Sequence, residues 1–143
     1  MLTQNQINEI REELDNCARP IFLYDDDQDG LCSFLLLYRY KRGGRGFIIK
    51  TTPKIDEKFI EKVNTYQPDK IFILDIAMVE QEFLDGVKSP VVWIDHHEPL
   101  KRSRVKYYNS RLNGKMVPTT YMSRQITGNS LWIAMIGSDP DWH

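Results

Sequence analysis

An α/β fold, a parallel sheet sandwiched between helices, is what this chain predicts, and three observations carry the reading. The segments "IFLY" (21–24), "KIFIL" (70–74) and "PVVWI" (90–94) are unbroken apolar runs, as expected of strands buried on both faces. Stretches with helical apolar spacing separate them, the alternation that parallel pairing through crossovers requires. Three of the strands end in an acid, at Asp25, Asp75 and Asp95.

The elements follow in order. Leu2, Ile7, Ile10 and Leu14 fall on helical spacing, predicting an amphipathic helix that ends before Pro20. A strand over 21–24 comes next. "LCSFLLLYRYK" after Gly30 is too long and too leucine-rich for a strand, so a buried helix is expected, stopped by Gly43 and Gly44. "GFIIK" (46–50) is a short strand, and "KIDEKFIEKVNTYQ" (54–67) reads as one helix with Ile55, Phe59, Ile60 and Val63 inward. "KIFILDIA" (70–77) gives a strand, "VEQEFLDGV" (79–87) a short helix, "PVVWIDHH" (90–97) a strand and "VKYYN" (105–109) an edge strand. "PTTYMSRQITG" (118–128) and "SLWIAMIG" (130–137) read as two closing helices, with Trp132 in the core.

Residues 1–143 are read as one domain, long enough to bury a core without staples. Lys and Arg number 19 and Asp and Glu 20, a net charge of −1, so any polyanionic partner must be met by a local patch. Cys17 and Cys32 lack metal-type spacing and fit reduced, packed thiols, which favours the cytoplasm. No segment has the length of a signal peptide's apolar core or of a membrane span, so no membrane partner is expected.

The chemistry concentrates at the strand ends. In an open α/β sheet, ligands sit beyond the carboxyl ends of the strands, and three acids gathered on that rim repel one another unless cations neutralise them. "DDDQDG" (25–30) begins like a calcium loop, but the twelfth position counted from Asp25 is Leu36, not a glutamate, and a strand precedes it. An aspartyl phosphatase also places D-x-D after a strand. "WIDHHEP" (93–99) separates the two: neutral imidazole with carboxylates suits a hydrolytic two-metal centre, whereas an aspartyl nucleophile has no use for it.

These motifs resemble those of the DHH phosphoesterases, which include RecJ-type single-strand exonucleases, small-oligonucleotide and cyclic-dinucleotide phosphodiesterases, exopolyphosphatases and manganese pyrophosphatases. "DDDQDG" is similar to the first motif of that family, "ILDIA" to the second, "DHH" (95–97) to the third, and "GSDPDW" (137–142) to the fourth, through Gly137 and Asp141. The resemblance implies one cation held by Asp25, Asp27 and Asp75 and another by Asp29, Asp75, His96 and Asp141, with Asp139 the alternative to Asp141. Asp75 would bridge them. Manganese is the implied metal, and the mixed oxygen and imidazole donors suit Mn²⁺ while also admitting Mg²⁺. Two such ions would acidify a shared water and hold phosphoryl oxygens for in-line attack. His97 would donate a hydrogen bond to the phosphate, and Asp95 would orient a histidine. Aspartate at position 25, where many relatives carry histidine, leans toward the RecJ branch.

"PLKRSRVK" places Lys101, Arg102, Arg104 and Lys106 directly after the third motif, where they could steer a phosphodiester backbone or form a solvated loop. Ser33 could reach a phosphate or simply start a helix. The leading expectation is a two-metal phosphoesterase of the RecJ type, acting on phosphodiester bonds of single-stranded DNA or short oligonucleotides. Pyrophosphate, polyphosphate and cyclic-dinucleotide hydrolysis keep the same chemistry. A catalytically silent scaffold is the non-enzyme alternative. The family's usual C-terminal substrate-binding domain is expected to be absent from this chain, so a lid would come from elsewhere or from a partner chain.

Overall fold

The computed structural model describes residues 1–50 and 54–128. In chain order the elements are α1 (Gln4–Asp15), β1 (Pro20–Asp25), α2 (Gln28–Lys41), β2 (Arg45–Ile49), β3 (Lys54–Ile55), α3 (Ile60–Tyr66), β4 (Lys70–Leu74), β5 (Met78–Val79), α4 (Gln81–Gly86), β6 (Val91–Asp95), β7 (Lys106–Asn109) and α5 (Thr119–Thr127). Five strands form one sheet in the order β2-β1-β4-β6-β7, with every pairing parallel. The predicted fold class is the observed one.

Strand alternation divides the core into two layers. Phe22, Phe72, Val92 and Ile94 face α1, α2 and α5, where Ile10, Leu14, Leu37, Met122 and Ile126 pack; Phe22 stacks on Phe72 with ring centroids 5.3 Å apart. Ile21, Leu23, Ile71, Ile73 and Trp93 face the other way, toward Val63 of α3 and Phe83 of α4. Each fully buried side chain of this size contributes about 1.5–3 kcal/mol, so strands apolar on both faces are what hold the sheet between its helices. α1 opens with a reciprocal cap in which Thr3 accepts from the Gln6 amide and the Gln6 side chain accepts from the Thr3 amide.

Three local expectations are corrected. The single helix over 54–67 is instead β3, a 3-10 turn (Glu57–Phe59) and α3, because Ile55 is drawn into parallel pairing with Val79 of β5. α2 begins at Gln28, before Gly30, since the Asp27 side chain accepts from the Gly30 amide 2.7 Å away and caps the first turn. Its end falls at Arg42, which adopts the left-handed conformation at φ 60°, while Gly44 at φ 105° lets the chain pass close to Pro20. The second closing helix (130–137), Trp132 and the fourth motif with Gly137, Asp139 and Asp141 lie outside the described residues.

Candidate metal centre

β1, β4 and β6 are neighbours in the sheet, so their carboxyl ends deliver Asp25, Asp75 and Asp95 to one rim. At Asp75 the backbone turns off β4 into the left-handed region, φ 62°, with its amide donating to the Ile94 carbonyl at 2.9 Å. That conformation costs a non-glycine residue about 1–2 kcal/mol. It is held by packing: the Trp93 indole, fully buried and stacked on Tyr107 at 4.0 Å, donates to the carbonyl of Ile76 at 3.0 Å. The Asp75 carboxylate is thereby fixed inside the protein, fully buried.

Around it the side chains assemble into two groups of metal-ligand type, each with ligand atoms within 4.8 Å of one another. Asp25, Asp27 and Asp75 make the first; Asp75, His96 and His97 make the second. Asp75 belongs to both. His96 Nε2 lies 3.0 Å from Asp75 Oδ1 and 3.3 Å from Asp29 Oδ2. His97, its ring 4.4 Å from that of His96, is held by Asp95, with Nδ1 2.6 Å from Asp95 Oδ1 and its amide donating to Asp95 Oδ2 at 3.1 Å.

The donor set fits divalent cations. Asp75 Oδ2 and His96 Nδ1 are buried with no hydrogen-bond partner among the described residues, although a buried carboxylate oxygen ordinarily has one. Burial above all, with the charges of Asp29 and Asp27, pushes the Asp75 carboxyl up to about 9 against the opposing hydrogen bond from His96. Burial disfavours a charged His96, but the hydrogen bonds to Asp29 and Asp75 prevail and raise it to about 10. Burial and then the neighbouring Asp27 raise Asp25 as well. The centre thus retains protons at neutral pH, and a cation placed there would displace them.

Asp29 is arranged differently. Its carboxylate accepts from the Thr119 amide at 3.1 Å, the Thr120 amide at 2.7 Å and the Thr120 hydroxyl, so it caps the first turn of α5 from across the fold. Burial opposes the charge, but His96 and Thr120 together hold Asp29 below the usual carboxylate range. A carboxylate offers about four acceptor positions, and three are taken. The fourth faces His96, which leaves a cation one approach to this residue. Thr119 also donates to Asp75 Oδ1, at 3.2 Å.

Neither threonine stood out in the sequence, yet a signal was present. α5 follows Pro118, which has no side-chain acceptor, so its first amides need a carboxylate from elsewhere. Asn109 and Arg111, donating at 2.8 Å to the carbonyls of His97 and His96, were also missed; both follow from the rule that loops after parallel strands line the site.

Ser33 is fully buried, its hydroxyl 3.4 Å from that of Thr120. In the basic run, the Arg102 guanidinium donates to the Val79 carbonyl at 2.7 Å and is tied to β5, and Lys106 pairs with Glu13 at 2.9 Å. Lys101 and Arg104 are exposed, and their side chains make no hydrogen bond or ion pair among the described residues.

Among solved structures, the chain is similar to RecJ from Thermus thermophilus in complex with Mn²⁺, with a TM-score of 0.66 and 18% identity over 90% of this chain. The fold is RecJ-like. A structure of exonuclease RecJ bound to manganese is similar at a TM-score of 0.60 and 17% identity over 85% of this chain. The matched regions span 20% and 36% of those two RecJ chains. No family model matches the chain, and no curated protein matches it in sequence. In this RecJ-like sheet, both metal-type groups sit beyond the carboxyl ends of β1, β4 and β6. No helix among the described residues is long and apolar enough to cross a membrane.

Proposed function

We propose that the chain is a two-metal phosphoesterase of the DHH type, RecJ-like, hydrolysing phosphodiester bonds in single-stranded DNA or short oligonucleotides. The observation that carries this reading is Asp75: a buried carboxylate with an unpartnered oxygen, common to an all-carboxylate group and an imidazole group. Few roles suit such a residue better than bridging two cations, because an isolated buried carboxylate is costly. Asp25, Asp27 and Asp75 would hold one ion; Asp75 and His96, with Asp29 and Asp141, would hold the other. Mn²⁺ suits this mixed donor set, with Mg²⁺ the runner-up. Bound there, the ions supply Lewis acidity toward a phosphoryl oxygen and toward a water.

The chain's own side chains do the rest. Asp95 fixes the His97 ring through Nδ1, which leaves Nε2 to meet a phosphoryl oxygen. Asn109, at the end of β7, and Arg111, just after it, hold the His97 and His96 backbone in place. Lys101 and Arg104 are the cations of the basic run left to meet the substrate backbone.

The test is Mn²⁺-dependent release of mononucleotides from a 5′-phosphorylated single strand, run beside a dinucleotide and pyrophosphate, with Asp75→Ala, His96→Ala and His97→Ala. The expected pattern is cleavage of the strand and the dinucleotide, abolished in all three variants, with Mn²⁺ stoichiometry reduced in the first two and kept in His97→Ala. Hydrolysis confined to pyrophosphate would overturn the substrate assignment. Full stoichiometry in Asp75→Ala would overturn the bridging role.

A further inference from the structure

A second charged region lies away from the acid rim. Between β2, an edge strand, and α3 runs a cleft of about 640 Å³ lined by Arg19, Arg45, Phe47, Lys58, Lys62 and Tyr66, with Glu61 the one acid in its lining among the described residues. None of the four cations lies within 4.0 Å of a carboxylate among the described residues, although Lys54, Lys70 and Lys106 each have such a partner. In a chain of net charge −1, an unneutralised group of this size is a concentrated exception.

The cations are ordered against aromatic faces. The Arg19 guanidinium lies 4.0 Å over the Tyr66 ring and is pinned by its Nε donating to the Tyr66 carbonyl at 2.9 Å. Lys62 and Arg45 stand 4.4 and 5.1 Å from the centroid of Phe47. Phe47 and Tyr66 meet edge to face, 6.5 Å between centroids. An exposed guanidinium with one face on a tyrosine offers its other face as a flat, preset platform, the kind on which unpaired bases stack. Point cations flanking a stacking platform are the elements of single-strand binding, where phosphates are neutralised in a groove and bases lie on planar groups. The volume suits one or two nucleotides.

Register places the cleft on a line with the rim. Ile49 of β2 pairs with Asp25, and Arg45 pairs with Ile21, four residues earlier, so Arg45 stands roughly 13 Å from the acids along the strand and Arg19, just ahead of β1, roughly 20 Å. We propose that this cleft is a second contact site for single-stranded nucleic acid, in which Arg45, Lys58 and Lys62 neutralise phosphates and a base stacks on Arg19. It holds a strand whose end occupies the metal centre, and so rests on the nuclease reading for its purpose, though not for its binding chemistry.

Binding of a fluorescein-labelled oligothymidylate to the full chain is measured by anisotropy in EDTA across a KCl series, so that no metal chemistry intervenes. Variants are Arg45→Gln with Lys62→Gln, Arg19→Ala, and Lys115→Gln as an exposed cation elsewhere. Each lost phosphate contact flattens the slope of log K against log salt by about 0.7 for a single strand, so the double variant should flatten it by about 1.4 and Lys115→Gln by nothing. Arg19→Ala should weaken binding about tenfold through the lost stack. All the substituted residues are exposed, and thermal unfolding checks that each variant folds.

An unchanged slope in the double variant, or no binding in EDTA, overturns the cleft. Inorganic polyphosphate that binds as tightly as the oligonucleotide, with Arg19→Ala harmless, overturns the base contact. Dinucleotide cleavage in Mn²⁺ judges the nuclease reading separately. A chain that binds the strand through these residues but cleaves nothing keeps the cleft and loses the enzyme; one that cleaves the dinucleotide while the double variant binds normally keeps the enzyme and loses the cleft.

Discussion

A methyl group placed on Gly30 would run into the backbone that carries the first metal-type group. Its Cβ would sit 2.9 Å from both the amide nitrogen and the carbonyl carbon of Asp25, and closer still to the carbonyl oxygen. Restoring the 3.4 Å of ordinary van der Waals contact to that oxygen means separating α2 from β1 by about an ångström. Backbone on both sides leaves no flexible side chain to yield. Overpacking of this kind costs about 3 kcal/mol. The shift also strains the bond from the Gly30 amide to Asp27, worth about 1 kcal/mol as a cap. Alanine returns about 1 kcal/mol in helix propensity. The net loss for Gly30→Ala is therefore about 3 kcal/mol, or a fall of about 10 °C in Tm for a domain of this size. Calorimetry measures that loss, and isothermal titration with Mn²⁺ should show at least a tenfold weaker site, because Asp25 and Asp27 move with the backbone. A variant that melts with the parent and binds Mn²⁺ equally would refute the claim that close packing of α2 on β1 sets the acid rim.

Three further outcomes are expected. Asp75 and His96 both hold their protons to higher pH in the folded protein than in the unfolded chain, so in EDTA stability declines as pH rises, through Asp75 from about 4 toward 9 and through His96 from about 6.5 toward 10. Mn²⁺ must displace those protons, so its stabilising effect should grow over the same range; melting curves at pH 6 and pH 9, with and without Mn²⁺, test both signs. Thr120→Val keeps the shape but removes the hydroxyl from Asp29, and should cost about 1–3 kcal/mol by denaturant unfolding, with Thr120→Ser recovering most of it. Trp93→Phe leaves the Ile76 carbonyl without its indole partner and opens space beside Tyr107; a loss of about 2–4 kcal/mol is expected, together with weaker Mn²⁺ binding because Ile76 anchors the turn at Asp75.

The strand ends were legible because burial on two faces and acids at the carboxyl edge both write themselves into a few adjacent residues. Asp25, Asp75 and Asp95 could be assigned to one rim from apolar runs and a topological rule alone. Ile55 could not be read as a strand. Its spacing to Phe59, Ile60 and Val63 fits a helix, and only pairing with Val79, far along the chain, pulls it out. The trans cap on α5 was hidden for a similar reason: Asp29 and Thr120 are 91 residues apart, and nothing local to either announces the other. Charge counting showed that Lys101, Arg102, Arg104 and Lys106 are clustered, but not that Arg102 and Lys106 turn to Val79 and Glu13. A charge pattern reports density, whereas direction depends on the acceptors that folding brings near.

The all-parallel sheet has a kinetic consequence. Parallel neighbours cannot zip from a hairpin, and β1 must wait for β4, about 50 residues later, before its second edge is paired. The entropy of closing those loops is lost before the contacts compensate it, which places the chain among slow, high-contact-order folders. Asp25 and Asp75 therefore come together only as β1 and β4 dock, against their own repulsion. A divalent cation in the refolding buffer would find no partly built centre to bind; it would act on the finished sheet, slowing its unfolding more than it hastens its formation.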